Sequence, residues 1–123
     1  MVEEIFTRER IMLQRMNYVF CTDERLLEIN KRYLHHDYVT DIITFDLSEK
    51  KGQVFGESYI SIERVSENAI KLKSPLSKEI WRVVFHGALH LCGYKDKTEK
   101  EKRQIRSKED YYISLFEQTF HVK

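Results

Sequence analysis

Val39-Thr40-Asp41-Ile42-Ile43-Thr44-Phe45-Asp46-Leu47 is the stretch on which the fold class turns. β-Branched and aromatic residues crowd it, and they alternate. Ile43, Phe45 and Leu47 point one way, Ile42, Thr44 and Asp46 the other, which is the period of a strand. Gly52 belongs to a turn, and Gly56-Glu57-Ser58-Tyr59-Ile60-Ser61-Ile62 has the composition of the returning strand. Upstream, residues 17–21 (Asn17-Tyr18-Val19-Phe20-Cys21) read as a short buried strand. Thr22 or Asp23 then caps a helix of about three turns, with Leu26, Leu27, Asn30, Tyr33 and Leu34 on its inner side. His35-His36-Asp37 ends it.

Downstream the period becomes helical. A helix over 63–72 carries Val65, Ala69 and Leu72 as its apolar positions. Ser74-Pro75 predicts a fresh start, with Ser as the cap and Pro in the first helical position, where its missing N–H costs nothing. That helix sets Ile80, Val84, Ala88 and Leu91 on one stripe and stops at Gly93. Thr98-x-x-Glu101 is a capping box opening a long last helix, with Ile105, Lys108, Tyr112, Leu115 and Thr119 at helical spacing. Strands with helices grouped around them make an α+β fold. The expectation is a single domain over residues 1–123 with a small mixed sheet of about three to four strands.

Composition narrows the functional classes. The length of 123 residues suits one hydrophobic core and not two, and no linker, repeat or low-complexity tract divides it. A formal net charge of +1 demands neither nucleic acid nor membrane, although it leaves room for a local basic patch. No apolar run approaches the roughly 18 residues of a membrane span, so no membrane partner is expected. The acidic start Met1-Val2-Glu3-Glu4 is unlike a signal peptide. Cys21 and Cys92 are too few for a disulfide framework and read as small hydrophobes in a reducing, cytoplasmic setting.

The chemistry concentrates in residues 86–96, His-Gly-Ala-Leu-His-Leu-Cys-Gly-Tyr-Lys-Asp. His86 and His90, four apart on a helix, lie on one face with Cβ atoms roughly 6 Å apart, so both rings can reach one cation. Gly93 lets the chain leave the helix and swing back, and Asp96 can close a tripod from the other side. Three protein ligands leave a position open, as in a catalytic rather than a structural zinc site. Metzincin proteases share this His-x3-His-x5-ligand spacing, but Gly87 stands where they carry their catalytic Glu. The bland reading is a chance histidine pair, Gly93 as a plain helix cap, and Asp96 as an N-cap, since Asp96-x-x-Glu99 is also a capping-box pattern. Gly87 in mid-helix costs about 1 kcal/mol relative to Ala and points to close packing.

The segment resembles the signature of the YbeY family of bacterial rRNA maturation factors, His-Gly-x-Leu-His-Leu-x-Gly-Tyr-Asp-His, which positions 86, 87, 89, 90, 91, 93 and 94 match. Ile29-Asn30-x-x-Tyr33 is similar to the family's Leu-Asn-x-x-Tyr-Arg, Thr40-Asp41-Ile42-Ile43-Thr44-Phe45 to its Thr-Asp-Val-Leu-Ser-Phe, and Gly56-Glu57-Ser58-Tyr59-Ile60-Ser61 to its Gly-Asp-Ile-x-Ile-Ser. Order and spacing agree over residues 17–118. Three departures stand out. The family's third His is Asp96 here, its Arg after the tyrosine is Leu34, and the segment before residue 17 looks shorter than the family's usual strand and helix. Lys31, three residues before Leu34 on the same helix face, is the expected stand-in for that Arg.

What the resemblance implies is a zinc-dependent endoribonuclease, one ion per chain at His86, His90 and Asp96, acting on single-stranded RNA. It also implies ribosomal RNA processing, ribosome maturation and contact with the ribosome or its small subunit. Lys31 and Arg82 are the candidate phosphate-holding groups, although an Arg in the place of Arg82 is more often just a solvated helix residue. No general base is evident. The basic run Lys95, Lys97, Lys100, Lys102, Arg103, Arg106 and Lys108 is either an exposed face or a guide for an RNA backbone. Tyr94 either walls the pocket or packs in the core, His35 and His36 sit in a polar turn, and His121 is idle. The rivals are another zincin-like metallohydrolase and a non-catalytic ribosome-assembly factor with a structural metal.

Overall fold

The computed structural model describes residues 1–36 and 40–120. Its elements are α1 (Val2–Arg8), β1 (Met12–Cys21), α2 (Asp23–Leu34), β2 (Ile42–Asp46), β3 (Gln53–Ser61), α3 (Ile62–Leu72), α4 (Leu76–Leu91) and α5 (Glu99–Phe120). The expected strand pair forms, with β2 antiparallel to β3, Ile42 opposite Ile60 and Asp46 opposite Gly56. Val39, the first residue of the predicted strand, lies outside the described residues. β1 joins the other side of β3 in parallel, giving the order β1-β3-β2. The architecture is α+β with a three-stranded mixed sheet.

Alternation along the strands gives each face a different partner. On one face Ile43 packs with Leu26 and Ile29 of α2, and Phe45 and Tyr59 border that cluster. On the other, Thr44 and Ser58 share a 2.8 Å hydroxyl hydrogen bond beneath α4. The helix approaches so closely there that a Cβ on Gly87 would stand 2.7 Å from Thr44 Oγ1 and 2.9 Å from Ser58 Oγ. Mid-helix Gly→Ala ordinarily stabilises by about 1 kcal/mol. Here a methyl group must displace two hydroxyls that are bonded to each other, one of them on the fully buried Ser58, and overpacking costs about 1–3 kcal/mol. Gly87→Ala is therefore expected to lower the melting temperature. A rise, measured by thermal unfolding, would contradict this packing.

α4 is the central helix. Beyond the expected stripe of Val84 and Ala88, its Val83, Phe85 and Leu89 are also buried, because α1, α3 and α5 pack around it in addition to the sheet. Its start differs from expectation. Pro75, at ψ 140°, stands just ahead of the helix as its cap residue, and Ser74 caps nothing at α4. The reason lies in the preceding turn: Lys73 adopts a left-handed conformation and the Ser74 N–H closes α3 on Ala69 O at 3.0 Å. Ser74 belongs to the end of α3.

The N-terminal third also departs from the reading. β1 begins five residues before the predicted strand, at Met12 rather than residue 17, because a register shift between Leu13 and Arg15 interrupts the alternation there. Before it, α1 was not anticipated. It is two turns long and places Ile5 and Phe6 in the core side by side. Its C-cap residue Glu9 accepts hydrogen bonds from the hydroxyls of Tyr94 (2.7 Å) and Tyr112 (2.5 Å) and from Lys108 Nζ (3.3 Å). Burial pushes the Glu9 carboxyl up, but those donors outweigh it and hold the group below the usual carboxylate range. Tyr94 thus serves the core side and ties α1 to the loop that carries Asp96.

Candidate metal centre

The last turns of α4 and the loop after them build the centre. Cys92, Gly93 and Tyr94 form a Schellman ending: Gly93, at φ +107°, donates to His90 O (3.0 Å), and the Tyr94 N–H donates to Leu89 O (3.1 Å). That ending reverses the chain and brings Asp96 back over the helix. The capping question is also answered. Thr98 Oγ1 accepts from the Glu101 N–H (3.1 Å) while Glu101 Oε1 accepts from the Thr98 N–H (2.9 Å), so the capping box is Thr98–Glu101 and Asp96 is left for another role.

Three ligand atoms converge. His86 Nε2 and His90 Nε2 are 2.9 Å apart, and Asp96 Oδ2 lies 3.3 Å from the first and 3.2 Å from the second. Ligand atoms around a tetrahedral zinc with bonds of about 2.0–2.1 Å stand roughly 3.3 Å apart, so the triangle is close to one face of such a site. The partners of the other ring nitrogens fix what these atoms can be. His90 Nδ1 lies 2.9 Å from Tyr94 O, a carbonyl that can only accept, so Nδ1 carries a proton and the neutral ring has its lone pair on Nε2. His86 Nδ1 lies 2.6 Å from Glu109 Oε2 and donates to it in the same way. With both rings neutral, two imidazole lone pairs and a carboxylate oxygen face one point, a donor set suited to a cation. The group can hold a metal ion.

Glu109, on α5, was not picked out from the sequence. It is 4% exposed and bridges His86 to Arg82, whose Nη1 lies 3.2 Å from Glu109 Oε1. Arg82 also reaches Asp110 at 2.8 Å and approaches Glu79 at 3.7 Å. The guanidinium considered for a substrate phosphate, or for plain solvent, is thus occupied by three carboxylates and half-hidden among them. Burial pushes the His86 imidazole down, but the Glu109 hydrogen bond and charge outweigh it and hold the ring above the ordinary histidine value.

Two clefts open on the tripod and share Asp41, Ile42, His86 and Asp96. The larger, about 560 Å³, runs toward the end of α2 and includes Leu34, His36 and Lys97. Leu34 faces the site, while Lys31, an exposed residue in the last turn of α2, is not on the cleft wall. The smaller, about 370 Å³, runs along α5 past Lys102, Ile105 and Arg106. Asp41 borders both, and burial pushes its carboxyl above the usual range against the pull of His86. His35 lies in the turn after α2, where it is the C-cap residue in a left-handed conformation, and His121 lies outside the described residues. Cys21 and Cys92 are free thiols, both pushed up by burial, Cys92 to about 12.

The family model described as Endoribonuclease YbeY matches residues 1–117. The chain belongs to the YbeY endoribonuclease family. Among YbeY relatives, Endoribonuclease YbeY of Cytophaga hutchinsonii is 52% identical over 111 residues, covering 90% of this chain and 78% of the relative. Endoribonuclease YbeY of Flavobacterium psychrophilum is 48% identical over 122 residues, covering 99% and 84%. Among solved structures, the solution structure of TM1509 from Thermotoga maritima superposes with a TM-score of 0.64 at 27% identity, over 98% of this chain and 79% of that one. No helix among the described residues is long and apolar enough to cross a membrane.

Proposed function

We propose that this protein is a zinc-dependent endoribonuclease that cleaves single-stranded RNA and acts in ribosomal RNA processing and ribosome maturation in the cytoplasm, in contact with the small ribosomal subunit. The observation that carries the metal assignment is the convergence of His86 Nε2, His90 Nε2 and Asp96 Oδ2 with both imidazole tautomers fixed from behind. RNA as substrate comes from the YbeY relatives named as endoribonucleases. The nitrogen-rich donor set and the tetrahedral spacing favour zinc over magnesium or calcium, which prefer oxygen ligands at higher coordination number.

A zinc ion held there supplies Lewis acidity toward a phosphoryl oxygen and toward water. Glu109 keeps the His86 ring aimed, and Tyr94 O does the same for His90. Of the carboxylates on the two walls, Asp96 faces the histidines as a ligand, Glu109 is bonded to Arg82 and His86, and Asp46 accepts from the Ser48 N–H, which leaves Asp41. Its raised proton affinity suits it to accept a proton from an attacking water. The peptidase alternative lacks its base, because the helix position after His86 is Gly87, pressed against Thr44 and Ser58.

The test is cleavage of a single-stranded oligoribonucleotide by the zinc-loaded protein, alongside a peptide substrate and a chelator-treated control. RNA cleavage abolished by chelation and restored by zinc, with no peptide cleavage, is the expected result. Asp41→Asn should lower the rate on the order of a hundredfold while zinc content stays at wild type. RNA left intact by fully loaded protein would overturn the reading in favour of an assembly factor with a structural metal.

A further inference from the structure

A site that breaks a phosphodiester must also grip the charged strand on either side of it; Lys97 borders the larger cleft, and the cations along α4 and α5 are the candidates on the other side. Arg82 is bound to Glu109 and Asp110. Lys108 is bound to Glu9. Arg106 differs. It borders the smaller cleft together with His86, Asp96 and Asp41, and among the described residues it carries no ion pair or hydrogen bond. Lys102, one turn earlier on α5, borders the same cleft. Its 3.5 Å contact with Glu99 joins two exposed side chains and is exchangeable at little cost.

Helical spacing explains the placement. Lys102, Ile105, Arg106 and Glu109 recur at three- and four-residue intervals, so they share one flank of α5. Ile105 and Glu109 are buried against α4, which turns the two cations along the cleft wall beside the tripod. A third depression continues the path, sharing Asp41, Arg82 and Arg106 with the first and ending at Lys71 on α3.

We propose that Arg106, assisted by Lys102, holds a backbone phosphate of single-stranded RNA next to the one at the metal, so that the strand leaves the site along α5. The assignment rests on the endoribonuclease reading. It gives this chain a phosphate contact on the α5 side of a site whose α2 side presents the apolar Leu34.

The experiment compares Arg106→Gln with Lys100→Gln in the metal-loaded protein. Both remove one positive charge from α5, but Lys100 lies on the far side of the helix and borders none of the three clefts. The probe is a short single-stranded 2′-O-methyl oligoribonucleotide, with Kd followed by fluorescence anisotropy across a salt series. Arg106→Gln should weaken binding roughly fivefold or more and flatten the log–log salt slope by about 0.7, the value of one lost phosphate contact on a single strand. Lys100→Gln should leave the slope alone, and Arg106→Lys should restore it. Equal slopes in Arg106→Gln and the unsubstituted protein, or equal flattening in Lys100→Gln, would overturn the assignment while leaving the endoribonuclease reading intact. No binding by the unsubstituted protein would overturn both.

Discussion

Zinc content of about one ion per chain should fall to near zero in His86→Ala and in His90→Ala, measured by elemental analysis after dialysis. Each substitution leaves two ligands, and two cannot hold the ion against buffer and water. Asp96→Ala should behave alike, and the structure sharpens why. As a helix cap, Asp96 would have contributed about 1 kcal/mol of stability and nothing to metal content. Thr98 and Glu101 fill that role, so Asp96→Ala is expected to lose zinc, and Asp96→His to retain it. Acidification should strip the metal as well, because protons compete for the same lone pairs. With His86 held above the ordinary histidine value of 6.5, release should begin at a higher pH than an ordinary imidazole would give. Undiminished zinc in any of the three Ala variants would remove that residue from the site.

How far the sequence alone reached depends on the range of the interactions involved. The β2–β3 pair, α2, α3 and α5 were legible because alternation, helical period and caps are local, and Thr98-x-x-Glu101 behaves as its spacing says. The His86–His90–Asp96 tripod was legible for the same reason: eleven consecutive residues contain all of it. α1 was not, since its two buried residues, Ile5 and Phe6, are adjacent and show no period. Nor was the first half of β1, where a bulge erases the alternation. At the site, Glu109 stands 23 residues beyond His86 and reads locally as one more acid on a charged helix. Only its place at i+4 from Ile105, a predicted core position, hinted that it points inward. Arg82 was a phosphate-holding candidate, yet its two nearest partners, Glu109 and Asp110, come from another helix and had no local signature. Asp41 lies in a motif whose alternation was read for its strand, and nothing local says that it borders three clefts.

Glu109→Ala is expected to damage stability and metal binding together, and the two effects have separable causes. The carboxylate is 4% exposed and accepts from Arg82 and His86 at once. Removing one member of a buried ion pair typically costs about 3–5 kcal/mol, because the surviving charge stays desolvated without its partner. The lower end applies here, since Asp110 still holds Arg82 Nη2 at 2.8 Å, although the Arg82 Nε remains buried without a hydrogen bond. The second effect runs through His86. Without an acceptor at Nδ1 the ring is free to rotate and to change tautomer, and outer partners of this kind are worth about tenfold to a hundredfold in metal affinity. Glu109→Gln separates the causes. Its amide oxygen can accept from Arg82 or from His86 but carries no charge, so it should recover much of the packing and little of the zinc affinity. Chemical denaturation of the metal-free protein measures the first effect, and competition with a zinc chelator measures the second. If both variants bound zinc as tightly as the unsubstituted chain, Glu109 would be a purely structural partner of Arg82, and the orientation of His86 would rest on packing against α5 alone.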